Sequence, residues 1–183
     1  DVVASRGLGD VYKRQKALHD LDETVLDEEL TRAMTPFSQK PGDVTMLRNR
    51  LQDVMWEDVG VMRDADGLQR GLKRIAEIDD ELSSVGVAAD NLAFNLSWHD
   101  WLNLRSLIDM SMVIAKAALS RENSRGAHFR EDFPDAGAMQ ESYFTLASGY
   151  GDAISVTRAP VQFTIVKPGE TLLGEDEAET LIK

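Results

Sequence analysis

The 183-residue chain carries 20 basic and 32 acidic side chains, a formal net charge of −12, three histidines and no cysteine. Without cysteine it offers no disulfide, thiolate nucleophile, cysteine-ligated zinc or iron–sulfur ligand of its own. The acidic balance argues against a nucleic-acid or anionic-membrane surface, where local positive charge must release counterions. At 43% hydrophobic and 28% charged, it reads as a soluble globular domain with enough chain for one core and a tail.

No apolar run approaches the roughly 18 residues of a membrane helix; the longest, from Met110 to Leu119, is interrupted by Lys116. No positive segment precedes an apolar one at the start, so no secretory signal is read there. Residues 1–15 are expected to be a non-native tail. Ser5-Arg6-Gly7-Leu8-Gly9-Asp10-Val11-Tyr12-Lys13-Arg14-Gln15 resembles the translated library-adaptor tails found at the ends of assembled metagenomic reads. The chain then reads as a truncated frame. A rival reading takes Gly7-Leu8-Gly9 as part of a phosphate loop, but the preceding strand, third glycine and following helix are missing.

Residues 16–42 read as an acidic linker or a short amphipathic helix, with Leu18, Leu21, Val25 and Leu26 at spacings of three and four. Asp20, Asp22, Glu23, Asp27, Glu28 and Glu29 lack the alternating ligands and central glycine of a calcium loop, so no metal is expected. Thr35-Pro36, Lys40-Pro41 and Gly42 break the chain.

The predicted fold is mainly α: an antiparallel three-helix bundle over residues 43–134, followed by a small β-hairpin or three-strand extension over 135–173. Asp43 is a good N-cap, and Val44, Leu47, Leu51, Val54, Met55, Val59 and Met62 form one helical stripe. Asp64-Ala65-Asp66-Gly67 stops that helix and caps a second, striped by Leu68, Leu72, Ile75, Ala76, Leu82 and Val85 and ended by Gly86. So short a turn predicts antiparallel neighbours. The third helix, about 97–122, has an apolar arc wide enough to need more than one neighbour, with Ala115, Ala117 and Ala118 permitting close approach. Residues 142–146 and 153–157 read as strands about a turn at 149–152, and 161–165 as a third strand. Residues 174–183 read as an acidic frayed tail.

Two places invite a chemical reading. His99 beside Asp100 has the composition of an acid–base pair, but helical neighbours point about 100° apart and do not face each other. Anchoring of the helix's first turn is the plainer alternative; for Trp98 and Trp101, on one face, the alternatives are core packing and a partner surface. The segment from Asn123 to Pro134 gathers Arg125, His128 and Arg130 in an otherwise acidic chain. Gly126 suits a helix end and Pro134 prevents resumption. This donor-rich loop could bind an anionic substrate, or be a structural knot in which Arg125 and Arg130 pair with Glu131, Asp132 or helix-end carbonyls.

Ser124-Arg125-Gly126-Ala127-His128-Phe129-Arg130-Glu131-Asp132-Phe133-Pro134 resembles the signature closing the long helix in flavoprotein subunits of succinate dehydrogenase and fumarate reductase. Leu47-Arg48 with Met55-Trp56-Glu57-Asp58-Val59-Gly60-Val61 is similar to the start of their C-terminal helical domain, Phe94-Asn95-Leu96 with Leu102-Asn103-Leu104 to its third helix, and 161–173 to the tail of a bacterial subset. The resemblance implies an oxidoreductase part. Members bind FAD in an N-terminal domain, interconvert succinate and fumarate by hydride transfer with the flavin, and pass electrons to an iron–sulfur subunit or another acceptor; L-aspartate oxidase shares the architecture. The glycine-rich FAD loop, a flavin-attaching histidine and the capping domain with its arginine have no match here. The resemblance therefore implies FAD in the full-length protein but no cofactor-binding or catalytic residue in this stretch. Arg125, Gly126, His128, Arg130 and Asp132 are assigned to a structural or interface motif, and the expected partners are the chain's own N-terminal FAD domain and an iron–sulfur subunit. Neither nucleic acid nor direct membrane insertion is expected, and the family implies a cytoplasmic place or one peripheral to the inner membrane through partner subunits. A free-standing acidic adaptor that binds through Trp98 and Trp101 is the alternative from another class.

Overall fold

A computed structural model describes residues 22–149 and 151–170. The expectations for the adaptor-like start, the glycines at 7–9, Leu18, Leu21, Tyr150 in the hairpin turn and the tail 174–183 lie outside the described residues.

The chain divides after Thr35 into two units. In the first, of the two alternatives for the acidic segment, the helix forms: α1 (Glu23–Met34) is capped by Asp22, whose carboxylate accepts from Thr24 N at 3.1 Å. Its Val25, Leu26 and Leu30 are exposed.

The second unit holds α2 (Val44–Glu57), α3 (Ala65–Ser83) and α4 (Leu96–Ser120). Capping residues fit the sequence: Asp43 accepts from Met46 N at 2.9 Å, Asp64 from Gly67 N at 2.6 Å and Asn95 from Trp98 N at 3.0 Å. The helices run up, down and up. Arg50 of α2 pairs with Glu81 of α3 while Arg74 of α3 reaches back to Glu57, which only an antiparallel pair allows. Arg105 of α4 likewise pairs with Asp79 as Trp101 donates to Val85 O at 2.8 Å. Leu47, Leu51 and Val54 meet Leu68, Ile75, Ile78 and Leu82 and then Trp101, Leu104, Ile108, Ala115 and Ala118 in one core. Each large aliphatic side chain buried there contributes about 1.5–3 kcal/mol.

Two helix boundaries differ from expectation. The first helix ends at Glu57, not near Met62, because Asp58 leaves the helix to be held by Arg70 and Arg74 of α3. Met62 is exposed in a short strand, β1 (Met62–Arg63), parallel to β2 (Phe129–Arg130). The second helix ends at Ser83, and Gly86 is not its cap. Gly86 instead meets the incoming chain, donating to Lys40 O at 2.8 Å, where an added Cβ would lie 2.2 Å from Gln39 O. Within α3, Ala76 is exposed and Ile78 takes the core position.

The hairpin pairs β3 (Tyr143–Ser148) with β4 (Ser155–Pro160), Tyr143 opposite Pro160. Residues 161–165 do not form the third strand. Val161 follows β4 without a turn, so it cannot fold back onto a sheet edge; it adds one bond, to Ser142 O at 2.9 Å.

Candidate functional site

The signature segment begins where α4 stops. Arg121 leaves helical geometry (φ −98°, ψ 102°), and the chain doubles back along the helix end. Ser124 pins this return: its hydroxyl donates to Phe133 O at 2.8 Å and accepts from Arg130 N at 2.8 Å. Arg125 and His128 exchange backbone bonds of 2.9 and 3.1 Å around Gly126-Ala127. Gly126 has φ +59°, the first-central-residue conformation for which such a two-residue turn needs glycine. The turn delivers Phe129–Arg130 as β2 beside Met62–Arg63, and Glu131 N extends the ladder to Arg63 O at 2.7 Å.

Arg130 is the most deeply placed charge, only 1% exposed. Its Nε and Nη2 form a fork onto both Asp132 oxygens at 2.7 and 2.6 Å. Nη1 donates to the carbonyls of Ala118 and Leu119, both at 3.0 Å, and Arg121 at 3.4 Å. Those carbonyls close a helix end, where Ala118 O also accepts from the Arg121 amide at 3.2 Å, and a cation there meets the negative pole of the helix. The guanidinium lies 5.0 Å from the Phe133 ring centre. Asp132 in turn accepts from Ala65 N at 3.0 Å, tying the start of α3 to the end of α4. The Arg130 fork holds the Asp132 carboxyl down to about 2.

His128 sits half-buried between Arg63 and Arg121. Arg63 Nη1 lies 2.8 Å from His128 Nδ1, and His128 Nε2 lies 3.2 Å from Arg121 O. Guanidinium can only donate and a carbonyl can only accept, so the imidazole is neutral with its proton on Nε2. Burial, and then the nearby charges of Arg63, Arg121 and Arg130, push its pKa below 6.5, against the favourable Arg121 carbonyl. Arg63 further donates to Val59 O at 3.1 Å and Gly60 O at 2.6 Å. Arg125 spends its fork elsewhere, on Ala136 O, on Ala138 O at 2.7 Å and on Ser142 Oγ at 2.9 Å.

His128, Arg130 and Asp132 therefore meet on one seam, joined by hydrogen bonds to the α2–α3 connection, the start of α3 and the end of α4, whereas Arg125, in the adjoining turn with Gly126, holds the 136–142 segment. Arg130 pairs with Asp132 and helix-end carbonyls and Arg125 with loop acceptors; Glu131 joins neither guanidinium among the described residues. The fork donors that an anionic substrate would need are thus spent on carbonyls, Asp132 and a serine hydroxyl. The other candidates lie apart. His99 is exposed, and its imidazole has no hydrogen-bond partner among the described residues; Asn95 anchors that first turn, donating to Ala89 O at 3.1 Å and Asn91 O at 2.9 Å besides capping it. Trp101 is core, whereas Trp98 is half-buried, edge-on to Phe37 at 5.3 Å.

Sequence reasoning missed Asp58, Arg63 and Tyr143 as seam residues. Asp58 is 3% exposed and paired with Arg70 at 2.6 Å and Arg74 at 2.7 Å. The ring of Tyr143 lies between Arg121 and Arg158, 5.0 and 4.7 Å from its centre, while Arg158 donates to Ser120 O at 2.7 Å. Nothing in their local spacing announces their distant partners, 12 positions away for Asp58 and Arg70 and 65 for Arg63 and His128; only the Glu57-Asp58 pair within the matched signature could have drawn attention to Asp58.

Outside the seam, an open groove of about 200 Å³ gathers Asp79, Asp80 and Asp109, but Arg105 pairs with Asp79 and Asp109 there. Apolar side chains remain uncovered along α4, where Leu107, Met110 and Ile114 are 43–57% exposed at spacings of three and four. Phe94, at φ +57°, is 98% exposed before the same helix.

Residues 48–172 match the family model described as fumarate reductase flavoprotein C-term. The chain is 31% identical over 134 residues to a succinate dehydrogenase flavoprotein subunit of Rickettsia bellii, covering 70% of this chain and 22% of that protein. It is 38% identical over 86 residues to L-aspartate oxidase 1 of Ralstonia nicotianae, covering 47% and 15%. Among solved structures, the Mycobacterium smegmatis Sdh1 complex in the apo form superposes with a TM-score of 0.72 at 26% identity, over 93% of this chain and 30% of that one. The chain spans about a sixth to a quarter of the length of the curated relatives it matches. By its seam, its helical bundle and these likenesses, it belongs to the fumarate reductase flavoprotein C-terminal family.

Proposed function

We propose that this chain serves as the C-terminal brace of an FAD-dependent dicarboxylate oxidoreductase of the succinate–fumarate type, with L-aspartate oxidation as the alternative chemistry. A flavin held by another part of the full-length protein would supply the hydride chemistry; the seam of Arg125, Gly126, His128, Arg130 and Asp132 keeps the brace rigid. The observation that carries the reading is the half-exposed stripe of Leu107, Met110 and Ile114, an apolar face of α4 that the helical core does not cover.

The described residues do not fit a flavin dinucleotide. A pyrophosphate needs free amides at a glycine-rich helix start. Each of the four helix starts is instead closed by the side chain of Asp22, Asp43, Asp64 or Asn95, three of them carboxylates that would repel phosphate. No step of the reaction is therefore assigned to this stretch. An iron–sulfur subunit, and a position peripheral to a membrane through partner subunits, follow from the same reading; among the described residues no helix is long and apolar enough to cross a membrane.

Expression of the 183-residue chain alone tests the reading. It is expected to purify without flavin absorbance and to show neither succinate oxidation nor fumarate reduction, while the genomic sequence upstream encodes a G-x-G-x-x-G strand–turn–helix. Flavin co-purifying with the isolated chain, or a start codon near Lys16, would overturn it.

A further inference from the structure

We propose that His128 is an acid-sensitive latch: protonation at Nδ1 releases the turn at 125–128 from β1 and loosens the seam between the α2–α3 connection and the end of α4. The neutral ring bridges two elements through opposite roles, accepting from Arg63 at 2.8 Å and donating to Arg121 O at 3.2 Å. Both roles are imposed, since neither partner can exchange donor for acceptor. A second ring proton keeps the bond to Arg121 but sets N–H against N–H at Arg63, and adds a cation beside one already there.

The charged groups around the ring make that proton costly. Arg63 faces it from β1, Arg121 from the end of α4 and Arg130 from β2. Of the carboxylates nearby, Asp132 lies in the Arg130 fork and on Ala65 N, Asp64 accepts from Gly67 N, and Glu122 favours the Arg130 cation. No carboxylate among the described residues hydrogen-bonds the imidazole to offset its charge. Burial acts in the same direction and is the largest cause of the lowered pKa.

The release is local. Arg63 keeps its bonds to Val59 O and Gly60 O, which hold the turn after α2. What gives way is the ladder, the pairing of Arg63 with Arg130 and the 2.7 Å bond from Glu131 N to Arg63 O. The sign follows from the lowered pKa. Above 6.5 the ring is neutral whether the seam is closed or open, and the latch is whole. As pH falls below 6.5, the open form takes up the proton first, so opening grows by at most about tenfold per pH unit, levelling once the closed form also titrates. The latch resides in the seam alone and does not depend on the flavin reading.

The test is amide hydrogen exchange at Glu131 in the full 183-residue chain, with imidazole ¹⁵N shifts as a second readout. The ring is expected as the Nε2–H tautomer at about pH 7.5, and the Glu131 protection factor to fall several-fold by about pH 5.5. H128N retains an acceptor for Arg63 but cannot titrate, so its protection should stay flat and separate the histidine from carboxylates that also titrate on acidification. An Nδ1–H tautomer, protection that does not change with pH, or an equal fall in H128N would overturn the proposal. Should H128N not fold, H19N/H99N leaves His128 as the sole histidine, and loss of the acid response there would overturn it equally.

Discussion

Asp132→Asn removes one charge from the seam and leaves its shape almost unchanged. The wild-type carboxyl is held near 2 against an ordinary 3.8, chiefly by the Arg130 fork and secondarily by Ala65 N. At about 1.4 kcal/mol per tenfold, that depression corresponds to about 2 kcal/mol of folding stability at neutral pH. The side chain is 30% exposed, so solvent screening makes this the upper figure. The stabilisation is complete above 3.8, where the carboxyl is ionised folded or unfolded, and is lost as pH falls through 2, where both forms are protonated. The gap between wild type and D132N should therefore shrink to about 1 kcal/mol at pH 3. Urea unfolding followed by circular dichroism reads this directly. With an m-value of about 2 kcal/mol/M for a domain of this size, the midpoint should drop by about 1 M at neutral pH and by about half that at pH 3. An equal midpoint for the two proteins at neutral pH, or a gap that widens with acid, would refute the assignment of Asp132 as counterion to a buried arginine.

Gly126→Ala should cost about 1 kcal/mol in the same urea assay, from backbone conformation alone; the added Cβ meets nothing within 4 Å at φ +59°, so a much larger loss would mean a contact that the turn does not show. Trp101→Phe removes the donor to Val85 O and should cost about 1–3 kcal/mol of stability. His99→Ala, on the exposed face of the same turn, should change stability by less than about 0.5 kcal/mol; reversal of that order would restore His99 as the anchor.

The sequence was most legible where structure is local. Asp43, Asp64 and Asn95 accept amides within three residues, and stripes such as Leu47-Leu51-Val54 need only the helical period to declare their buried face. The same local logic led to a positive φ at Gly126 and to a hairpin turn at 149–152, but it set Gly126 at the helix end, whereas α4 stops at Ser120 and Gly126 serves a separate turn between Arg125 and His128. It misplaced Gly86 because a glycine after an apolar stripe looks like a cap, whereas its use is the approach of the distant Gln39–Lys40 backbone. It also made 161–165 a strand, since alternation signals extended chain without saying whether an edge is within reach.

By itself, the sequence determined the helical bundle and the family signature, both properties of residue type and short spacing. Only the tertiary structure decided what the signature's charges do: Arg130 goes to Asp132 and the helix end, Arg125 to loop acceptors, and His128 to Arg63, 65 positions earlier. A guanidinium advertises five donors but not their acceptors, and when those acceptors are backbone carbonyls every residue supplies one. Which carbonyls go unpaired depends on where α4 stops and how the chain returns across it, and that is set by packing.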